Sequence, residues 1–475
     1  MKKIIAGFLP TVLATILLAV LFLTFQADSA QANPSELHIT TFETGKQPTF
    51  LIHVAVTGTD TGDGSLGNPY ASLERAAQDV VPGAAILLHT GIYTGESYLA
   101  DLEGTEATPI WIGGVEGETR PVIEGGGEGI HLVRARYVIV HDLEVRMTDD
   151  NGINSDDGGD YANAEAAQYQ IFRNLYIHHV GGSGNQDCLK LSGVNDYFVL
   201  DSEFAFCGGL GSGSGIDHVG CHHGMVARNF LHNLSANAIQ VKGGSEDILI
   251  YANDMLNCGE RALNIGGSTS FEYFRPPLST TQPNYEARNI RVVANVIEGS
   301  VTSLAFVGAV DSLAVNNTLV NPTNWLMRIL QETTTSGEYE FLACGNNTMV
   351  NNLFYFDRAD LSAEDINIGP NTAGETFSFS NNLWFAHDNP GQSQPALPVV
   401  ETDGIVGVDP LLVNPSTSNF HLQEGSPASG EGIPVAGVEY DYEGLQYNDP
   451  PSIGAFEGNP PLNINQLFLP VVQRR

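Results

Sequence analysis

A short block of alternating apolar and polar residues recurs nine times between positions 138 and 384 of the 475-residue chain. Three of the copies read VIVHDLEV from 138, YFVLDSEF from 197 and IRVVANVI from 290. The aligned polar position advances through Asn174, Ser202, Asn229, Asn253, Asn295, Asn317, Asn352 and Asn382. Steps in the twenties are the length of one coil of a solenoid, and longer steps require an inserted loop. The repeat therefore predicts a stack of coils.

A second short strand follows most copies of the block. Its third position is always Ile or Leu: Ile153, Leu189, Ile216, Ile239, Leu263 and Leu304. Its fourth position is Asn154, Lys190, Asp217, Gln240, Asn264 and Ala305. This period of two indicates strands with the aliphatic residue inward and the fourth residue outward. We therefore predict an all-β parallel β-helix about 50 Å long, since each coil rises about 4.8 Å. The recurring Asn suits a left-handed turn, and its amide can pair from coil to coil.

Both ends of such a solenoid need caps, because they expose unpaired backbone and apolar core. Leu73, Ala76, Ala77 and Val80 have helical spacing, with Ser72 as N-cap and Pro82-Gly83 as a stop. We predict an N-terminal segment and capping helix over 33–85, the β-helix over 86–390, a loop-rich C-terminal cap over 391–457 and a tail over 458–475.

The N-terminus has the order of residues found in a secretory signal. Lys2-Lys3 precede an apolar run from Ile4 to Phe25 and the small residues Ala30-Gln31-Ala32, which predicts cleavage after Ala32 and a signal peptide over 1–32. If the run is not cut, it is long enough to anchor the chain. Either outcome predicts a secreted or cell-surface protein, with no membrane span once the signal is removed.

Charge limits the partners of the chain. It has 55 acidic and 20 basic residues, a formal net charge of -35, and such a field repels phosphate backbones, so we expect no nucleic-acid binding. An acidic substrate would need a local positive patch or a bridging cation. The five cysteines have no CxxC spacing, so a structural zinc site is not expected, and at least one thiol is left without a partner in the chain.

Several segments resemble a known group of proteins. HVAVTGTDTGDGSLGNPYASLERAAQ from 53, VPGAAILLHTGIYTG from 81 and the late SIGAFE from 452 are similar to the opening and closing segments of bacterial right-handed parallel β-helix proteins of the pectate-lyase-like superfamily. The resemblance implies a right-handed coil. It leaves the activity open, because the group contains lyases, hydrolases, epimerases and non-catalytic surface proteins.

Two motifs resemble pectate lyases of polysaccharide lyase family nine. NSDDGGD at 154–160 and DCLKLSG at 187–193 are similar to that family's calcium motif and to its lysine-bearing strand. The resemblance implies Ca²⁺ as cofactor and Lys190 as the base. By the repeat register the calcium motif falls instead on DNGIN at 150–154, where two carboxylates have become amides. The candidate metal ligands are Asp150, Asn154, Asp156, Asp157, Asp160 and Asp187.

A weaker resemblance links AIQVKGG around Lys242 to alginate and chondroitin lyases of family six. Lys242 and Arg261 lie at the edges of the outward face that carries Lys190, so the candidate catalytic residues are Lys190, Lys242 and Arg261. The candidate substrate contacts are Asp217, Gln240 and Asn264 on the same face, and Glu260 and Arg275 near a long insertion.

We expect a monomer that acts on an acidic polysaccharide by calcium-assisted β-elimination, in which a neutral amine removes the proton beside the sugar carboxylate. One alternative is a non-catalytic surface or cell-wall protein that binds glycans. Another is a glycoside hydrolase, for which Asp187 and Asp217 are the available pair of carboxylates.

Overall fold

A computed structural model describes residues 39–182 and 184–458. The predicted signal peptide over 1–32 and nearly all of the predicted tail lie outside these residues. In the described part, the chain winds as a right-handed parallel β-helix with three long parallel sheets, and a short antiparallel pair of strands follows near the C-terminus. The predicted fold class is confirmed.

Most coils contribute one strand to each sheet, in the order first, second, third. Within the described residues, the first sheet contains Phe50–Val54, Ala84–Leu88, Ile110–Gly114, Arg136–His141, Ala167–Arg173, Val194–Leu200, His222–Ala227, Ser245–Tyr251, Ala287–Val293, Ala309–Val310, Leu313–Val315, Thr348–Val350 and Ser378–Ser380. The second sheet contains Ile92–Thr94, Val122–Glu124, Glu144–Arg146, Tyr176–Val180, Glu203–Cys207, Phe230–His232, Asp254–Leu256, Val296–Glu298, Thr318–Val320, Leu353–Phe356, Leu383–Ala386 and Ile405–Val406. The third sheet contains Ser97–Ala100, Ile130–Val133, Ile153–Asp156, Leu189–Ser192, Ser214–Val219, Asn237–Lys242, Arg261–Gly266, Thr302–Val307, Trp325–Leu330 and Ile366–Ile368.

The interior of the third sheet is the predicted aliphatic ladder. Ile153 pairs in register with Leu189, Leu189 with Ile216, and the pairing continues through Ile239, Leu263 and Leu304. All six side chains are buried. Removal of this apolar surface from water stabilises the coil stack and fixes its register, because a slip by one residue would turn every inward side chain outward.

A buried asparagine ladder runs along the corner between the first and second sheets. From Asn229 to Asn382, each side chain donates to the Oδ1 atom of the next coil's ladder residue, except that Asn382 donates to the Glu401 carboxylate. The left-handed residue is the one before each ladder position, as at Asp201, Arg228 and Ala252. The amides therefore satisfy buried backbone groups rather than make the turn. At the start of the ladder the position before Ser202 is Leu175, not Asn174, because the Leu175 backbone N–H donates to the Ser202 hydroxyl.

Both predicted caps are present. The helix Leu73–Ala77 begins after Ser72, whose hydroxyl accepts from the Arg75 backbone N–H, and it is one turn shorter than the predicted pattern. Strands Leu412–Asn414 and Asn419–Leu422 belong to the C-terminal segment, whose apolar side chains pack against the outer face of the second sheet. The short 3₁₀ helices are Phe271–Tyr273, Arg358–Asp360, Gly374–Thr376, Pro390–Gln392 and Pro415–Thr417.

The cysteines divide into one disulfide and three thiols. Cys188 at the start of a third-sheet strand is bonded to Cys207 at the end of the second-sheet strand of the next coil, while Cys221, Cys258 and Cys344 are free and buried. Among the residues that the structure describes, no helix has the length and apolar character needed to cross a bilayer.

Candidate functional site

The outward positions of the third sheet form one continuous column. Strand register places in this column Tyr98, His131, Asn154, Lys190, Asp217, Gln240, Asn264, Ala305, Arg328 and Asn367. The predicted outward order from Asn154 to Ala305 is confirmed. Residues up to 269 positions apart therefore share one face, since Tyr98 and Asn367 (367 − 98) lie on the first and last of the ten strands of the third sheet.

Lys190 and Lys242 converge on one carboxylate in the middle of this column. The Lys190 amino group donates to Asp217 Oδ2 at 2.6 Å and to Asp187 Oδ2 at 2.9 Å. The Lys242 amino group lies 3.2 Å from Asp217 Oδ1, an ion-pair contact without hydrogen-bond alignment, and donates to Gln240 Oε1 at 3.2 Å. Although their strands are two coils apart, both amino groups reach the Asp217 carboxylate on the coil between them.

Burial makes these ion pairs strong. The side chains of Asp187 and Asp217 are 0% exposed, against 21% for Lys190 and 12% for Lys242. Burial alone lowers the pKa of the Lys190 amino group, but the Asp217 and Asp187 carboxylates outweigh this and hold that pKa well above its ordinary value. Burial raises the pKa of Asp187 to about 6, whereas the two lysines hold the pKa of Asp217 well below its usual range despite its burial.

His131, which the sequence analysis did not single out, extends the charged cluster by two coils. Its Nδ1 atom lies 3.0 Å from Glu128 Oε2 and its Nε2 atom 2.7 Å from Asp156 Oδ2. Asp156 and Glu128, whose carboxylates accept hydrogen bonds from the ring, raise the pKa of His131 to about 9. The segment GEGIH, 127–131, has the same pattern of an inward Ile before an outward residue, so an alignment carried one coil further would have found it.

A cleft of about 530 Å³ opens over the column. Its floor includes Lys190 and Lys242, and one wall is formed by Tyr161, Tyr273 and Arg275 with neighbouring polar residues. Tyr273 is 48% exposed. Because sugars present both hydroxyl groups and apolar C–H faces, a lining of amides, hydroxyls and exposed aromatic rings is chemically suited to a carbohydrate.

Two sets of contacts hold this wall of the cleft in place. Arg275 donates to Asp157 Oδ2 at 2.6 Å and lies over the Tyr161 ring at 4.2 Å. At the end of the same insertion, buried Glu286 accepts from the backbone N–H groups of Gly243 and Thr269 at 2.8 and 2.9 Å. The insertion is thus held in a fixed position beside the lysines.

The structure places other predicted site residues elsewhere. Arg261 donates to Glu332 at 2.6 Å and is not part of the cleft lining, and Glu260 is exposed outside that lining. Asn264 is buried and receives a long 3.4 Å contact from Arg261. Asp217 is fully buried, so its contacts are the two lysines and it does not face a ligand directly.

The six predicted metal ligands do not converge on one point. Asp156 and Asp187 contact His131 and Lys190, and Asp157 contacts Arg275. Asp160 accepts from Asn163 at 3.0 Å, and Asp150 is exposed. Asn154 lines the cleft with a buried, unpartnered Oδ1 atom. Across 39–182 and 184–458, no group of three or more His, Cys, Asp or Glu side chains is placed to hold a metal ion. Three of the six donors, Asp156, Asp157 and Asp187, are paired with His131, Arg275 and Lys190, and the set as placed does not fit Ca²⁺.

The candidate hydrolase pair also lies in this cluster. Asp187 and Asp217 both accept hydrogen bonds from the Lys190 amino group, and both are fully buried. Glycoside hydrolysis needs one carboxyl group at the scissile oxygen and one at the attacking water or the sugar carbon. Neither carboxylate is exposed to a ligand, so the geometry does not favour hydrolysis by this pair.

A search of the solved structures finds several proteins of similar fold. Pectate lyase Pel9A matches with a TM-score of 0.56 and 15% identity, over 87% of this chain and 98% of that one. An alginate lyase from Paenibacillus sp. str. FPU-7 matches with a TM-score of 0.44 and 16% identity, over 76% of this chain and 100% of that one. A glycoside hydrolase matches with a TM-score of 0.47 and 10% identity, over 69% of this chain and 98% of that one. A scan against protein-family models and a search of the curated proteins give no match.

At this level of identity the comparison concerns the fold. The chain has a right-handed parallel β-helix fold similar to that of pectate lyase Pel9A. Its described residues form three long parallel sheets, with a cleft on the third.

Proposed function

We propose that this protein binds an acidic polysaccharide in the cleft over the third sheet and cleaves it by β-elimination, with Lys190 as the base. The observation that carries the proposal is the convergence of Lys190 and Lys242 on Asp217 at the floor of a cleft with a polar and aromatic lining. The likeness in fold to pectate lyase Pel9A supports it.

The reaction assigns different work to the two lysines. The neutral Lys190 amine takes the proton from the carbon beside the sugar carboxylate, the electron pair of that C–H bond forms a carbon–carbon double bond, and the glycosidic C–O bond breaks. The departing oxygen takes a proton from water, and the hydroxide that remains takes the proton from the Lys190 ammonium, which restores the neutral amine, so atoms and charge balance. Lys242 keeps a positive charge beside the sugar carboxylate and stabilises the negative charge that develops there.

The ion pairs of Lys190 determine when it can act as a base. Because Asp217 and Asp187 hold its pKa above the ordinary lysine value, the neutral amine is scarce near neutral pH. Activity should therefore rise with pH through the alkaline range. Both carboxylates accept hydrogen bonds from this amino group and fix its position at the floor of the cleft.

A non-catalytic glycan-binding protein is the second candidate, and one observation favours it. Lys190 is paired with two buried carboxylates, an arrangement that also suits a purely structural or binding role for a protonated lysine. In that case the same cleft would retain a polysaccharide without cutting it.

One experiment separates these candidates. The purified chain is incubated with pectate, alginate and chondroitin, with and without chelator, at pH values from neutral to alkaline. Formation of unsaturated products, read by ultraviolet absorbance, supports the lyase. Retardation of the chain in gels that contain one of these polymers, without unsaturated products, overturns the lyase and supports the binding protein. No retardation and no product overturns both candidates.

Export of the protein to an oxidising environment belongs to the same proposal. The Cys188–Cys207 disulfide supports export, because such bonds persist outside the cytoplasm. The signal sequence expected over residues 1–32 supports it as well.

A further inference from the structure

His131 joins carboxylates from two neighbouring coils. It extends from the strand Ile130–Val133, and Asp156 ends the next third-sheet strand. Each ring nitrogen faces a carboxylate oxygen, Nδ1 at 3.0 Å from Glu128 and Nε2 at 2.7 Å from Asp156. Ring N–H groups donate hydrogen bonds and carboxylate oxygens accept them, so the ring is placed to bridge the two carboxylates. The Asn154 side-chain amide lies 3.3 Å from the same Nε2 atom.

The same cluster continues to the lysines. Glu128 accepts from Asn151 Nδ2 at 3.0 Å, and Asn151 Oδ1 accepts from the Asp187 backbone N–H at 2.9 Å. Asp187 in turn accepts from Lys190. His131 is therefore tied through side chains and one backbone group to the partner of the proposed base.

A bound divalent ion would have the same effect on these groups. It would neutralise Glu128 and Asp156 and fix the distance between adjacent coils. The segment DNGIN, 150–154, aligns with the calcium motif by repeat register and has the amides Asn151 and Asn154 in place of two carboxylates. The cluster therefore carries fewer negative charges than a calcium site of aspartates. One imidazole ring already lies between the two carboxylates of this cluster and leaves no open space between them for an ion.

We propose that the His131 imidazole, held between Glu128 and Asp156 beside this cleft, takes the place of a bound divalent ion, so that this part of the third sheet keeps its structure without Ca²⁺. This inference rests on the proposed function in one respect: both concern the cleft in which the acidic polysaccharide is proposed to bind. Its test uses thermal melting, which does not depend on turnover.

The test compares melting temperatures of the full chain in chelator and in millimolar Ca²⁺. The unmodified chain should melt at the same temperature in both. His131→Ala should melt lower in chelator, because Glu128 and Asp156 lose their shared partner, and Ca²⁺ should restore much of the loss by binding the two carboxylates. His223→Ala is the control, since that side chain is 60% exposed on the first sheet; it should melt like the unmodified chain in both solutions.

A second pair of variants covers the case in which His131→Ala does not fold. His131→Gln keeps most of the side-chain volume, and His131→Gln with Asn154→Asp adds a third carboxylate, so its melting temperature should rise more with Ca²⁺ than that of His131→Gln. Two results overturn the inference: a chelator-induced fall in the melting temperature of the unmodified chain, or no Ca²⁺ response in any His131 variant. If polymers are not cleaved but these shifts occur, the inference stands and the lyase proposal fails.

Discussion

Asp217 is a buried, charged side chain that forms ion pairs with two lysines. Its two oxygens contact Lys190 at 2.6 Å and Lys242 at 3.2 Å. An isolated buried carboxylate is costly, and a charge-paired one is tolerated when its partners are well placed. The strand register provides those partners. Lys190 pairs with Asp217 from the preceding coil. Gln240 pairs with Asp217 from the following coil, and Lys242 lies two residues after Gln240 on the same strand.

Replacement of the proposed base is the first prediction at this scale. Lys190→Ala should reduce formation of unsaturated products by about 10²–10⁴-fold, the usual contribution of a positioned general base. Lys46→Ala is the matched control because Lys46 lies outside the cleft, and it should keep full activity. Initial rates from ultraviolet absorbance measure both variants, and an active Lys190→Ala chain with a normal melting temperature would exclude Lys190 as the base.

Asp217 also sets the pH dependence of the proposed reaction. Because its charge raises the pKa of Lys190, Asp217→Asn should lower that pKa, and the alkaline rise in activity should shift to lower pH. Rates measured from neutral to alkaline pH test this. A profile that does not move, in a variant whose melting shows that it is folded, would mean that proton loss from Lys190 does not limit the rate.

At the scale of the element, the coil register explains what could be predicted from the sequence. Period-two alternation identified the inward ladder and the outward column, since each depends only on local spacing. The partners of each outward residue depend on the loops that the coil carries. Arg261 contacts Glu332, 71 residues away on an inserted segment, and no spacing rule predicts such a contact. The aspartates of NSDDGGD were predicted as calcium ligands for the same reason, because His131 and Arg275 were not visible as their partners.

The asparagine ladder gives a stability prediction for this element. Asn295 donates to the Ile250 carbonyl at 2.9 Å and accepts from the Asn253 backbone N–H at 2.9 Å. Asn295→Ala leaves these buried groups without a partner, so the free energy of unfolding should fall by about 1–3 kcal/mol. Urea denaturation measures the change, and Asn389→Ala, at an exposed position, should have almost no effect. Equal midpoints for the two variants would show that the ladder does not stabilise the coils.

At the scale of the whole molecule, a net charge of -35 opposes the approach of an acidic polymer, while the cleft presents Lys190, Lys242 and Arg275. Each of these cations is paired with an acid, so the local attraction is limited and the overall repulsion acts over a longer distance. The overall repulsion could be predicted from the sequence, because composition gives the net charge. The pairing of each cation required the three-dimensional arrangement.

Salt should therefore assist the proposed reaction. Raising the ionic strength from about 0.01 M to 0.15 M shortens the screening length from about 30 Å to 8 Å, which weakens the long-range repulsion more than contacts inside the cleft. We expect kcat/KM for an acidic polymer to rise over this range and then fall as the direct ion pairs are screened. A steady decrease from the lowest salt concentration would indicate that attraction by the cleft dominates.

The claim that two lysines share one buried carboxylate can be tested directly, because the described part of the chain contains only three lysines, Lys46, Lys190 and Lys242. Nuclear magnetic resonance of the chain with ¹³C-labelled lysine can follow each amino group as the pH is raised, with signals assigned by substitution. The Lys190 signal should titrate above the ordinary lysine pKa of about 10.4 and at lower pH in Asp217→Asn. A Lys190 signal that titrates at the ordinary value, and does not respond to Asp217→Asn, would contradict the arrangement from which the proposed function follows.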